Sequence, residues 1–121
     1  MEVNKLSLLY RWIRLTQSGI SLEQLLLDRK IQKAALYGYD GIAECILYEL
    51  RETSINIQAI IDRKGKKILI DFPVYKPNES EKLNVDAIIM MPVDNYQIIK
   101  SDLSRYTTAK IISIEEVLYE L

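Results

Sequence analysis

The chain has 121 residues, 49% of them apolar and 27% charged, with 16 basic side chains against 17 acidic ones for a formal net charge of −1. That length suits one domain with a real core and is too short for a cofactor domain joined to a substrate domain, while the balanced charge gives no general attraction for nucleic acid or an anionic membrane, so neither is expected as a partner. Histidine is absent and Cys45 is the single cysteine, which removes the intrachain disulfide, the histidine-ligated zinc site and the Ser-His-Asp triad from consideration; no catalytic or metal-binding set is assigned.

At the N-terminus Leu8 and Leu9 are flanked by Lys5, Arg11 and Arg14, leaving no continuous apolar segment of the kind that exports a chain or spans a bilayer, so a cytoplasmic location is expected. Leu6, Leu9, Tyr10 and Ile13 fall at i, i+3, i+4 and i+7 and predict one face of a helix running to about Gln17, ended by Ser18-Gly19. Ser21 then reads as the N-cap of a second helix, with Gln24 completing a capping box and Leu22, Leu25 and Leu26 forming the apolar face. Residues 1–30 are thus expected to form an N-terminal helical extension to a domain at 31–121.

From Lys33 the periodicity changes. Ala34 to Tyr37 is a short apolar run of strand type, Ile42, Ala43, Ile46, Leu47 and Leu50 repeat at helical spacing, and Asn56 to Ile61 forms a second strand closed by Asp62, which is a βαβ unit of the expected length. Two short runs follow the charged turn Arg63-Lys64-Gly65-Lys66-Lys67: Ile68 to Ile70, and Pro73 to Tyr75, where proline suits a strand start or a sheet edge. Val85 to Met91 is apolar on both faces apart from Asp86 and predicts a buried parallel strand. A helix from about Asn95 to Tyr106, a strand from Lys110 to Ser113 and a helix from Ile114 to Glu120 complete an alternating order. The right-handed crossover rule then predicts an α/β, Rossmann-like three-layer domain whose five-stranded, mostly parallel sheet runs 3-2-1-4-5.

In such a fold the first βα turn approaches phosphate through glycines. The three fingerprint positions here read Gly38, Asp40 and Ala43, or, with a wider first spacing, Gly38, Gly41 and Glu44. Asp40 suits a helix cap, and a singly charged phosphate about 4 Å from its carboxylate would be repelled by about 4 kcal/mol at an effective dielectric near 20, against ~0.3–1 kcal/mol gained from the helix dipole. Repulsion therefore wins unless Asp40 swings away or a cation intervenes. Asp62, at the end of the second strand, stands where a carboxylate can accept from a ribose diol, and Arg63 and the lysines after it could neutralise phosphate, although a charge run around a glycine is more often an ordinary solvated turn. Tyr96 and Lys100 have the Tyr-x-x-x-Lys spacing with which short-chain dehydrogenases lower a phenol's pKa for proton transfer, here without an upstream serine to complete the set. Tyr10, Trp12 and Ile13 make the first helix aromatic-rich, either for packing on the sheet or as a self-association face. Cys45 is read as a packing residue.

With those residues in view, the chain from about Ser21 to Leu121 resembles the small Rossmann-like domains of the nucleoside-diphosphate-sugar epimerase-like type found in bacterial polysaccharide biosynthesis. The resemblance is carried by Leu36-Tyr37-Gly38, Leu47-Tyr48-Glu49-Leu50, Ala59-Ile60-Ile61-Asp62, Phe72-Pro73-Val74-Tyr75, Val85-Asp86-Ala87-Ile88-Ile89 and Ile111-Ile112-Ser113-Ile114-Glu115-Glu116-Val117-Leu118. It implies a nucleotide-type pocket at the strand C-termini, built from Gly38, Tyr39, Asp40, Gly41, Asp62, Arg63 and the loop Pro92-Val93-Asp94, with NAD(P) or a nucleotide sugar as the ligand. Three readings follow: a binding or accessory domain in sugar-nucleotide or polysaccharide metabolism without a complete active site; a ligand-free scaffold working by protein contacts, as a homodimer through the N-terminal helices; and a small NAD(P)-dependent oxidoreductase or epimerase using Tyr96 and Lys100.

Overall fold

The computed structural model describes residues 4–63 and 72–120. Five parallel strands, β1 (Lys33–Tyr37), β2 (Asn56–Ile61), β3 (Val74–Tyr75), β4 (Ala87–Met90) and β5 (Lys110–Ser113), form one sheet in the order β3-β2-β1-β4-β5. The predicted order holds, and the sheet is parallel throughout. The helices are α1 (Lys5–Gln17), α2 (Leu22–Asp28), α3 (Gly41–Leu50), α4 (Tyr96–Leu103) and α5 (Ile114–Tyr119), with a 3-10 helix at Pro77–Lys82 that no apolar period announces.

Alternation along the central strand divides the core into two layers. Ala34 and Leu36 face one side with Ile60, Ala87, Ile89 and Ile112, under α1, α2, α3 and α5, whereas Ala35 and Tyr37 face the other with Ala59, Ile61, Ile88 and Met90, under Leu103 of α4. The edge strand β3 is tied in before it starts, because the Pro73 carbonyl accepts from Ile60 N–H at 2.9 Å, a role for which proline needs no N–H. The run Ile68 to Ile70, and Lys64, Gly65, Lys66 and Lys67 of the charged turn, lie outside the described residues.

α1 departs from the predicted orientation. Its buried side chains are Leu8, Trp12 and Leu15; of the four predicted residues Leu9 is half-buried against the core, and Leu6, Tyr10 and Ile13 stand 79%, 66% and 56% exposed on the opposite side. Both triads have the spacing i, i+4, i+7, so the helix is apolar on two faces and periodicity cannot choose between them. Tertiary contacts choose: the Trp12 indole N–H donates to Glu49 Oε2 at 2.6 Å and Arg11 Nε–H to the Leu118 carbonyl at 2.9 Å, which fixes the rotation of the helix on α3 and α5. In α2 the Ser21 hydroxyl oxygen accepts from Gln24 N–H at 3.1 Å, but the Gln24 amide turns forward to Asp28 at 2.7 Å, so only half of the predicted capping box forms. Cys45 is exposed, a correction to its reading as a packing residue, because the buried stripe of α3 runs through Ile42, Ala43, Ile46 and Leu50 and leaves position 45 off it.

The one charged position in the β4 run has a structural task. Asp86 Oδ2 accepts from the backbone N–H groups of Gln32 and Lys33 at 3.0 and 2.9 Å, pinning the start of β1, and these two bonds hold its carboxyl below the usual aspartate range. A folded-state pKa below the unfolded one contributes stability that is present above about pH 4 and is lost as pH falls through the folded value. Urea midpoints should therefore be lower for Asp86→Ala than for the unmutated chain at pH 7, and the difference should shrink as the pH is taken below about 4. A gap that persists undiminished at pH 2 would mean that the carboxylate charge contributes nothing.

Candidate functional site

The strand order reverses between β1 and β4, and it is at the carboxyl ends of those strands that open α/β sheets form their binding crevice. Gly38 leaves β1 with φ of +93°, its N–H donating to the Ile61 carbonyl at 2.9 Å, while Met91 N–H donates to the Tyr37 carbonyl at 3.0 Å from the β4 side. A Cβ at Gly38 would meet Met91 Cβ at 3.5 Å, an ordinary contact, so glycine is required here by backbone conformation and not by space. Gly41 needs neither: its φ is not positive and the position of its missing Cβ is open. Ala43 is fully buried where α3 meets the sheet, whereas Glu44 is exposed. Of the two alignments of the turn, Gly38-Asp40-Ala43 is therefore the one the geometry fits.

Asp40 is the N-cap of α3. Its backbone is extended at φ −130° and ψ −170°, and Oδ1 accepts from Ala43 N–H at 2.9 Å. The other oxygen, Oδ2, lies 3.2 Å from Lys5 Nζ, which arrives from the first turn of α1. Both carboxylate oxygens are thus engaged, one by the helix amide that would otherwise face an anion and one by an ammonium. Lys5 could not be found from sequence because nothing in its local pattern says that α1 begins beside a turn 35 residues further on. Tyr39 is half-buried next to Asp40, and desolvation, reinforced by the Glu44 carboxylate, raises its phenol above the ordinary range.

The remaining predicted residues surround this turn at the ends of their strands. Asp62 is half-buried after β2, its N–H donating to the Tyr75 carbonyl at 2.8 Å, and Arg63 beside it is exposed. Pro92 is half-buried after β4, followed by exposed Val93 and Asp94, and Asn95 opens α4 in the left-handed region at φ +61°.

Tyr96 and Lys100 do share a face of α4, with the ammonium 5.8 Å from the ring centroid. Their chemistry runs opposite to what proton abstraction needs. Burial, then the Glu116 carboxylate, which accepts from the Tyr96 hydroxyl at 3.2 Å, push the phenol up to about 12. Glu116 Oε1 also accepts from Ser113 Oγ at 3.4 Å, and Ser113 Oγ in turn accepts from Glu116 N–H at 3.1 Å to cap α5. Tyr96 thus ties α4 to α5 through Glu116, and its phenol moves in the direction opposite to the lowering expected of a Tyr-x-x-x-Lys pair. Glu116, the partner in that tie, is a second residue the sequence reading passed over.

No family model, curated protein or solved structure matches this chain. Among the described residues no three His, Cys, Asp or Glu side chains converge as metal ligands, and no helix is long and apolar enough to cross a membrane. One surface groove of about 730 Å³ is lined by Leu6, Ser7, Tyr10, Arg11, Arg14 and Tyr119, and another of about 450 Å³ runs along α4.

Proposed function

We propose that this chain is a non-catalytic Rossmann-like accessory domain that works through protein contacts, its phosphate turn closed by its own carboxylate. The observation that supports this reading is the double engagement of Asp40, with Oδ1 on the α3 amide at 2.9 Å and Oδ2 on Lys5 at 3.2 Å. A pyrophosphate entering the turn would have to displace a helix cap worth about 1 kcal/mol and overcome or expel a negative charge. The raised Tyr96 phenol adds to it, since burial and the Glu116 carboxylate hold that group protonated.

A second reading, a nucleotide-type binding domain of sugar-nucleotide or polysaccharide metabolism, is favoured by Lys5 itself. Its ammonium supplies the cation that would offset the Asp40 charge. The two readings separate in thermal-shift measurements with NAD, NADP, nucleotide sugars and coenzyme A, because a ligand at a hundred times its Kd stabilises the folded state by about 2.7 kcal/mol. The accessory reading expects no saturable shift in the unmutated chain. Asp40→Gly is the informative variant, since glycine is tolerated at an N-cap for a few tenths of a kcal/mol while removing the carboxylate. A saturable shift in Asp40→Gly alone would identify Asp40 as the closure. A shift in the unmutated chain would overturn the accessory reading in favour of the nucleotide one.

A further inference from the structure

α1 and α5 lie side by side and are locked together, the Arg11 guanidinium donating to the Leu118 carbonyl at 2.9 Å and lying 5.5 Å over the Tyr119 ring, whose hydroxyl donates to the Ser7 carbonyl at 3.2 Å. The outer surface of this pair is apolar along its centre, where Leu6, Tyr10 and Ile13 are joined by Tyr119 at 41% exposure, and a groove runs between them. The two helices are oppositely charged. Apart from Lys5, which pairs with Asp40, and Glu116, which accepts from Tyr96, α1 carries Arg11 and Arg14 and no acidic residue, whereas α5 and its C-cap carry Glu115 and Glu120 and no basic one.

We infer that this face is covered by the same face of a second copy of the chain, each α1 lying over the α5 of its partner. A two-fold contact uses the same patch on both sides, and its axis lies in the plane of the interface. An axis across the helices would set α1 on α1, guanidinium against guanidinium. An axis along the groove sets basic α1 on acidic α5 twice, with the apolar stripe sealed between them and the exposed Arg14 and Glu120 at the rim. α1, with 13 residues, is about 20 Å long and α5, with six, about 9 Å, so the patch is smaller than that of a standard stable interface and the dimer is expected to be weak, with a dissociation constant of roughly 10–100 μM. The inference gives the accessory reading its contact surface and rests on that reading for its purpose, though not for its geometry.

The test is sedimentation velocity of the full chain over a concentration series spanning about 1–300 μM. A reversible dimer is expected, with Ile13→Glu, Arg14→Glu and Glu120→Arg each raising the dissociation constant by ~10-fold or more. Equimolar Arg14→Glu and Glu120→Arg chains should pair again to within about threefold of the original affinity, because both 14–120 contacts of the mixed pair are then between unlike charges. All three positions are exposed, so far-UV spectra should be unchanged; should one variant misfold, Leu6→Lys replaces it. A chain that is monomeric across the series, a dimer indifferent to Ile13→Glu, or a mixture that fails to re-pair would each overturn the arrangement. Nucleotide binding by the unmutated chain would instead remove the accessory reading with this interface intact, and a monomer would remove the interface while leaving that reading to other partners.

Discussion

Removal of residues 1–30 should leave a chain that no longer folds cooperatively. Leu8, Trp12, Leu15, Leu22, Leu25 and Leu26 are all at most 8% exposed and belong to the same continuous core as Leu36, Ile60, Ile89 and Ile112 of the sheet. Burial of each such side chain stabilises the fold by roughly 1.5–3 kcal/mol, so their combined loss is comparable with the ~5–15 kcal/mol by which a whole domain is stable. The truncation would also strip cover from α3 and α5, and take away Arg29, whose guanidinium bonds the carbonyls of Glu116 and Glu120 at 2.9 and 2.6 Å. The expected product has a broad or absent thermal transition, retains part of its far-UV signal and binds an apolar dye. A sharp two-state transition for residues 31–121 would show that the sheet with α3 to α5 holds its own core.

Trp12→Ala is expected to cost about 3–5 kcal/mol, lowering the melting temperature by roughly 10–20 °C. The indole is 8% exposed, and its N–H donates to the half-buried Glu49 carboxylate at 2.6 Å, so truncation opens a cavity and removes a donor from that carboxylate. Two positions earlier on the same helix, Tyr10→Ala should change stability by no more than ~0.5 kcal/mol when measured at low protein concentration, because its ring stands 66% exposed. The contrast tests the rotation of α1 directly. Equal losses for the two variants, or a larger one at Tyr10, would place the opposite stripe inward.

The candidate site was legible in its backbone and not in its charges. Gly38 could be assigned from sequence because a strand that must turn sharply into a helix demands positive φ, and Asp40 could be read as a cap because an aspartate before a helical period satisfies its free amides. The ammonium facing Asp40 and the carboxylate facing Tyr96 could not. Lys5 and Glu116 come from α1 and α5, brought to the strand ends by packing. For Tyr96 the helical spacing to Lys100 was correct, and the missing partner reversed the direction in which the phenol's pKa moves.

By itself the sequence determined the strands, their parallel arrangement and their order, because continuous apolar runs separated by helical periods leave few chirally allowed topologies. It also determined that Ser21 and Asp40 would cap their helices, since capping is settled within three residues. Only the tertiary structure decided which face of α1 turned inward, since Leu6-Tyr10-Ile13 and Leu8-Trp12-Leu15 satisfy the same helical period on opposite sides. The second stripe was selected because a tryptophan fills the space beside α3 and finds a carboxylate for its N–H there, while the first leaves its apolar side chains on the surface.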